Sequence, residues 1–283
     1  IPLGGFGNVT LDWDATYAYF WREEGTGGHR IDLYPRLSAP LPLGPYLESR
    51  AEVGLRDTYY SVQTFGDAEW ENDSGQNRFL YDIHGEVGTS LMRNYPLSGA
   101  DNRSFYHQLR PYVEYDFLPE EDQDDLPYFT SVDRVGQQNA VTYGIDNFFD
   151  LQKDNEQDRE YGYFKIKQSY SFLDQNSDEP FSFINIKLGW LPLASTDLSY
   201  KTDIDVYDSG FVRHNFEAIY NNSRGDRFGV EYVFDDIDNT EQINALIKTA
   251  LFASWRADFK IEHSLSADET NEYPYAFVTY EKR

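Results

Sequence analysis

Hydrophobic and polar positions alternate along most of this chain. Between Leu109 and Leu118, Pro111, Val113, Tyr115 and Phe117 share one parity, and Arg110, Tyr112, Glu114 and Asp116 share the other. From Phe79 to Leu91, Phe79, Tyr81, Ile83, Val87 and Leu91 oppose Asp82, His84, Glu86 and Ser90. Phe228, Val230, Tyr232 and Phe234 oppose Gly229 and Glu231, while Phe259, Ile261 and Leu265 oppose Asp258, Lys260, Glu262 and Ser264. The same period runs through Leu11–Trp21, Ile31–Leu43, Leu47–Leu55, Phe164–Phe172 and Ser182–Trp190. Successive side chains of a strand point to opposite faces, so the pattern predicts β-strands, about fourteen of them. Gly25-Thr26-Gly27-Gly28, Asp174–Asp178 and Asn221–Asp226 read as the turns between them. One segment fits two periods. Ile243, Leu246, Ile247, Ala250 and Leu251 make a helical stripe behind Thr240, but Ala245, Ile247, Thr249, Leu251, Ala253 and Trp255 alternate. The plain strand that follows decides for a strand.

Alternation alone suits a water-soluble sandwich as well as a barrel in lipid. Strand length separates the two. Many segments here run to about 9–14 residues, against about five or six for ordinary strands and roughly 9–11 for a tilted strand crossing a bilayer. Aromatic residues also gather at segment ends: Tyr17, Tyr19, Phe20 and Trp21; Tyr59 and Tyr60; Phe148 and Phe149; Tyr161 and Tyr163. Amphipathic rings favour the headgroup boundary, so such girdles accompany membrane barrels. The fold class expected is all-β: an antiparallel transmembrane β-barrel of the outer-membrane type, with about fourteen strands visible as part of a larger barrel.

Composition narrows the function. A formal charge of −25 leaves no basic surface for nucleic acid, whose phosphates need clustered Lys and Arg. Cysteine is absent, which removes disulfides, thiolate metal sites and thiol nucleophiles. With 23 Tyr, 20 Phe and 5 Trp, the acidity does not signal disorder. No run of 18 apolar residues exists, yet the alternating residues of a membrane strand escape such a window. Catalytic signatures are missing: Gly-x-Ser-x-Gly, His-Glu-x-x-His, a P-loop and a Rossmann fingerprint all fail to match. His29, His84, His107, His214 and His263 lack ligand spacing. Asp235–Asn239 and Asp203-Ile204-Asp205 lack the glycine and glutamate of a calcium loop, and Arg224-Gly225-Asp226 reads as a turn. No enzyme and no metal site is expected.

The least ordinary stretch is HQLRPYVEYDFLPEEDQDDLPYFTS (His107–Ser131), followed by RVGQQNAVTYGIDNFF (Arg134–Phe149). An alternating strand runs into five acids boxed by Pro119 and Pro127, then a second strand begins. Prolines end ladder pairing, and carboxylates need water or cations. The block resembles the barrel domain of the LPS-assembly protein LptD (organic solvent tolerance protein) family. The residues that carry the likeness are Pro111 and Tyr115, Asp122 and Gln123, then Arg134, Asn139 and Gly144; Thr130-Ser131 replaces an Asp-Ser step. Arg30–Leu43, with its mid-strand proline, resembles an earlier family strand, and Ser223–Asp236 a late hairpin. The resemblance implies one barrel domain over residues 1–283, with no counterpart here for the family's N-terminal periplasmic domain or its C-terminal strands.

The same resemblance implies a translocon that inserts lipopolysaccharide into the outer leaflet of a Gram-negative outer membrane. Sugars would pass through the lumen and acyl chains leave through a lateral opening. Its partners would be an LptE-type lipoprotein plug, an LptA-type periplasmic bridge and membrane lipid. The polar parity places Glu48, Glu52, Asp82, Glu86, Glu114, Asp116, Glu231, Asp258 and Glu262 toward that lumen. An acidic lining facing an anionic glycolipid leads to the further expectation that divalent cations bridge the two, or that repulsion keeps the substrate from sticking. Two other readings remain open at this stage: a passive porin or substrate-specific channel with an inward-folded constriction loop, and a soluble carbohydrate-binding sandwich. The last requires Tyr115, Val230 and Ile261 to face a dry core.

Overall fold

The structure is a computed structural model that describes residues 8–97, 103–153, 159–173, 178–207, 210–252, 255–265 and 275–280. The alternating segments are strands: β1 (Thr10–Phe20), β2 (Gly25–Pro40), β3 (Glu48–Phe65), β4 (Gly75–Gly88), β5 (Leu91–Pro96) and β6 (Arg103–Leu118). After a single 3-10 turn at Ser131–Asp133 come β7 (Gln138–Lys153), β8 (Arg159–Ser171), β9 (Ile184–Leu193), β10 (Thr196–Asp205) and β11 (Gly210–Asn221). The chain continues through β12 (Arg227–Asp235), β13 (Thr240–Phe252), β14 (Trp255–Ser264) and β15 (Tyr275–Tyr280). The fold is all-β, and the doubtful segment after Thr240 is strand β13.

Sequence neighbours pair antiparallel in the order β1-β2-β3-β4-β6 and onward to β15, with the short β5 also pairing β6. This up-and-down order is that of membrane barrels; the sheet is open among the described residues, ending at β1 and β15. Strand β6 changes partner partway along. It pairs β4 from Tyr112 to Phe117 and β5 from Ser104 to Leu109, and Pro111 falls in neither register. A residue without an N–H donor thus falls at the break between these two pairings. The run Gly25–Gly28, expected as a turn, lies inside β2 instead. At Gly28 φ is +131°, and a Cβ would stand 2.1 Å from the Ser61 carbonyl oxygen, so glycine there serves close strand approach.

The chain divides into two compact units: Ile1–Thr89, Tyr112–Thr142 and Tyr170–Pro180 in one; Ser90–Pro111, Tyr143–Ser169 and Phe181–Arg283 in the other. In the first, Leu37, Val53, Leu55, Phe79, Tyr81, Ile83 and Val113 are exposed on one face, whereas Arg30, Ser38, Thr58 and Arg78 are buried on the other. The apolar band ends where Asp57 accepts the Asn77 Nδ2 at 2.8 Å and where Tyr17, Tyr19 and Tyr59 stand exposed. Tyr60, predicted beside Tyr59 in a girdle, faces the opposite way and is fully buried, as the pleat requires.

The second unit repeats the arrangement, with Phe216, Phe228, Ile243, Ile247 and Phe259 exposed on one face and Asn244 buried on the other. A protein in water hides the former set and exposes the latter. Tyr115, Val230 and Ile261, at 37%, 53% and 50% exposure, have no second sheet against them among the described residues. The sandwich reading fails on these three residues.

The turn from β11 to β12 shows how a polar connection is fixed. Asn222 Oδ1 accepts the amides of Arg224 and Asp226, each at 2.9 Å. The Asp226 carboxylate accepts Asn222 Nδ2 at 2.7 Å, Thr249 Oγ1 at 2.8 Å and the Ala250 amide at 3.0 Å. Arg224-Gly225-Asp226 is thus a turn, as its composition indicated. The Asn222 side chain first, then Thr249, Ala250 and Arg224, holds the Asp226 carboxyl far below the usual carboxylate range. A depressed carboxyl contributes stability above its unfolded pKa, near 4, and loses it as pH falls toward the folded value. Urea unfolding should therefore separate wild type from Asp226→Asn by a constant margin at neutral pH, a margin that shrinks below about pH 4. A margin independent of acid would remove the charge from this account.

Candidate functional site

The acidic stretch between β6 and β7 folds onto the polar face of β2, β3 and β4. Its acidic side chains do not make the contact: Glu120, Glu121, Asp122, Asp124 and Asp125 are all exposed. Leu126, Pro127 and Phe129 are buried instead, and Phe129 stacks on Phe20 at 4.7 Å and leans on Tyr60 at 6.2 Å. Beneath them Asp133, with 0% exposure, anchors the loop. Its Oδ1 accepts Arg30 Nη1 at 2.7 Å and the Tyr60 hydroxyl at 3.1 Å. Its Oδ2 accepts the amides of Phe129 at 2.8 Å and Thr130 at 2.7 Å. Four donors replace the water that a buried carboxylate gives up. Arg30 also donates to Thr130 Oγ1 at 2.9 Å and lies over the Phe20 ring.

A second anchor is Arg78, 2% exposed, which donates to Gln123 Oε1 at 2.9 Å, Thr58 Oγ1 at 3.2 Å and the Val132 carbonyl at 3.3 Å. Gln123 in turn exchanges two bonds with Val135, its Nε2 donating to the carbonyl at 2.8 Å and its Oε1 accepting the amide at 3.0 Å. Arg134 donates to the carbonyls of Leu126, Pro127 and Asp133 and so closes the loop on itself. Asn72 and Gln76 both donate to the Asp125 carbonyl, tying down the loop's near end.

Of the residues singled out by resemblance, Gln123 and Arg134 thus hold the loop together. Asp122 only shapes a turn, accepting the Asp124 amide at 3.1 Å. Tyr115 donates from the apolar face to Asn139 Oδ1 at 3.1 Å, and Gly144 lies within β7. Asp133, the residue on which the loop turns, was not singled out. Its signal was present as Thr130-x-x-Asp133, a spacing in which the fourth side chain reaches back to the first amide.

Within each unit the carboxylates expected on the lumen side lie on the polar strand face, but their company is not uniformly acidic. In the first unit Glu52 pairs with Arg50 at 2.9 Å, Asp116 bonds His84 at 2.7 Å, and Asp82 accepts the Tyr34 hydroxyl at 3.0 Å. A Cβ on Gly54 would overlap the Asp82 carboxylate, so glycine makes that position possible. Glu86 stands between Arg50 and Glu114 in the ladder, and Glu48 opens β3 opposite Gly88. Around them Arg56 forks onto Asp32 and Arg36 reaches Asp14 at 2.7 Å.

In the second unit Glu231 accepts Asn215 at 2.7 Å and Asn244 at 3.0 Å, Asp258 lies 3.8 Å from Lys248, and Glu262 pairs with Lys260. Among the described residues no three His, Asp or Glu groups converge as metal ligands would. The polar faces offer alternating charged and amide side chains.

Comparison with known proteins agrees with this geometry. The chain is 24% identical over 293 residues to the LPS-assembly protein LptD of Thiobacillus denitrificans, covering 93% of this chain and 38% of that protein. It is 26% identical over 210 residues to the LptD of Chromohalobacter salexigens, covering 59% of this chain and 24% of that protein. Against the LptD of Neisseria meningitidis serogroup B the figures are 27% over 125 residues, 44% and 15%. The chain therefore spans well under half the length of these relatives. Their family is one of transport and assembly proteins, not of enzymes. A family model described as LptD, LPS transport system D, matches residues 1–261, and the chain belongs to that family.

Proposed function

We propose that this chain forms part of an outer-membrane barrel that assembles lipopolysaccharide at the cell surface. The observation that carries the reading is the inverted distribution of side chains: exposed Leu, Val, Ile and Phe on one strand face, buried Arg, Asp, Asn and Thr on the other. Such a sheet suits hydrocarbon outside and water within. Sugars then travel along the polar face while acyl chains leave sideways into lipid. An LptE-type plug and an LptA-type periplasmic bridge are the partners this reading requires, and divalent cations would link polar-face carboxylates to the anionic substrate.

A photocrosslinking amino acid at Ser199 or Glu114 in the intact protein, in living cells, should capture the sugar portion of lipopolysaccharide. One at Val230 should capture lipid alone, and chelating divalent cations should lower the polar-face adducts. Equal sugar adducts from both faces would reject the reading. One feature favours the passive channel as a second reading, since the β6–β7 loop does lie on the polar face with Arg30 and Arg78 beneath it. Steady ion conductance by the purified protein without its plug, and no glycolipid adducts, would support that alternative.

A further inference from the structure

Three lysines of the second unit stand in one row. Their registers set Lys165 of β8 opposite Lys187 of β9, and Lys187 opposite Lys201 of β10. Lys167 follows two residues along β8 on the same face. With strands about 4.8 Å apart, the four side chains leave a small area of one face, and the Lys165 ammonium turns away from it over the Phe148 ring toward Asp146. Like charges directly opposite in a ladder are destabilising, and here two such contacts follow one another.

A chain with 49 acidic and 24 basic residues has carboxylates to spare for relieving them. Those nearby are turned elsewhere. Asp146 takes Lys165 at 3.6 Å, Asp235 takes Arg213 at 2.7 Å, and Asp203 accepts Asn185 at 2.6 Å. Glu231 is held by Asn215 and Asn244. Glu217 sits diagonally from Lys201 across β10 and β11 without an ion pair to it. Lys167, Lys187 and Lys201 are exposed and form no ion pair among the described residues, unlike Lys248 and Lys260 on the polar face of β13 and β14. They border a depression of about 450 Å³ whose wall also includes Asn185, Asn215 and Arg213 with its two carboxylate partners, Asp203 and Asp235.

We propose that this depression binds a phosphate ester, with Lys187 and Lys201 as its principal ligands and Lys167 at its edge. Lysine supplies a compact charge without the planar fork by which arginine matches a carboxylate. Several such charges around one point suit a dianion with oxygens on every side. The volume admits a phosphate together with the group that bears it. The inference rests on the polar face being wet, not on glycolipid transport. Phosphate binding by a protein that fails the crosslinking assay would leave it standing.

The test is phosphorus NMR titration of the intact protein in phosphate-free detergent with inorganic phosphate, a hexose phosphate and a short-chain phosphatidic acid. Binding should weaken at least about tenfold in Lys187→Gln/Lys201→Gln, survive in Lys187→Arg and remain unchanged in Lys248→Gln. Heat-modifiable gel migration would establish that each variant is folded. Preference for the hexose phosphate assigns the ligand to a phosphorylated sugar, preference for phosphatidic acid to a lipid headgroup, and equal binding to the phosphate itself. The proposal falls if no phosphate probe binds, if the double variant binds like wild type, or if polyglutamate binds where phosphates do not.

Discussion

Replacing Asp133 by Ala should detach the β6–β7 loop from the face of β2–β4 and destabilise the fold by about 3–5 kcal/mol, the range for breaking one side of a buried ion pair. The size follows from what is left behind. Arg30, Tyr60 and the amides of Phe129 and Thr130 all lose their acceptor in a place from which water is excluded. Arg30→Ala should cost a similar amount, because it strands the carboxylate instead. The double variant should cost less than the two single costs combined, since the residues form one network. Asp122→Ala, at an exposed turn, should stay within about 0.5 kcal/mol. Urea unfolding measures the energies, and limited proteolysis between Pro119 and Val135 reports whether the loop has come free. A loop that stays protected in Asp133→Ala would mean that Phe129, Leu126 and Arg78 hold it without the acid.

The second large effect concerns the opposite face. Val230→Arg should destabilise the protein in a bilayer by about 2–4 kcal/mol, the cost of a cation near the middle of the hydrocarbon. Val230 is 53% exposed, flanked in register by Ala218 and Ala245, so nothing in the protein itself resists a longer side chain. If that exposure were to water, the same change would fall within about 0.5 kcal/mol. Ser199→Arg supplies the internal control, because it lies on the polar face opposite Glu217. Insertion into lipid vesicles followed by urea unfolding distinguishes the cases. A silent Val230→Arg would place the apolar face in water and end the membrane reading.

The sequence by itself determined the strands, the two faces and the family. Alternation is a local property, set by the pleat at each residue, and so it survives in one dimension even through the doubtful stretch of β13. It also located the loop that matters, through two prolines and a run of acids. What it hid was which of those residues act. The acids that drew attention are solvated, whereas Asp133 gains its role from Arg30 and Tyr60, about 100 and 70 residues earlier in the chain.

The lysine row shows the same division. Lys165, Lys187 and Lys201 look scattered in sequence and become neighbours only through the registers of three strands. Gly25–Gly28 read as a turn because glycine preference cannot tell a bend from two backbones in close contact. Pairing register, burial and charge partnership are made between distant segments, so only the tertiary structure decided them.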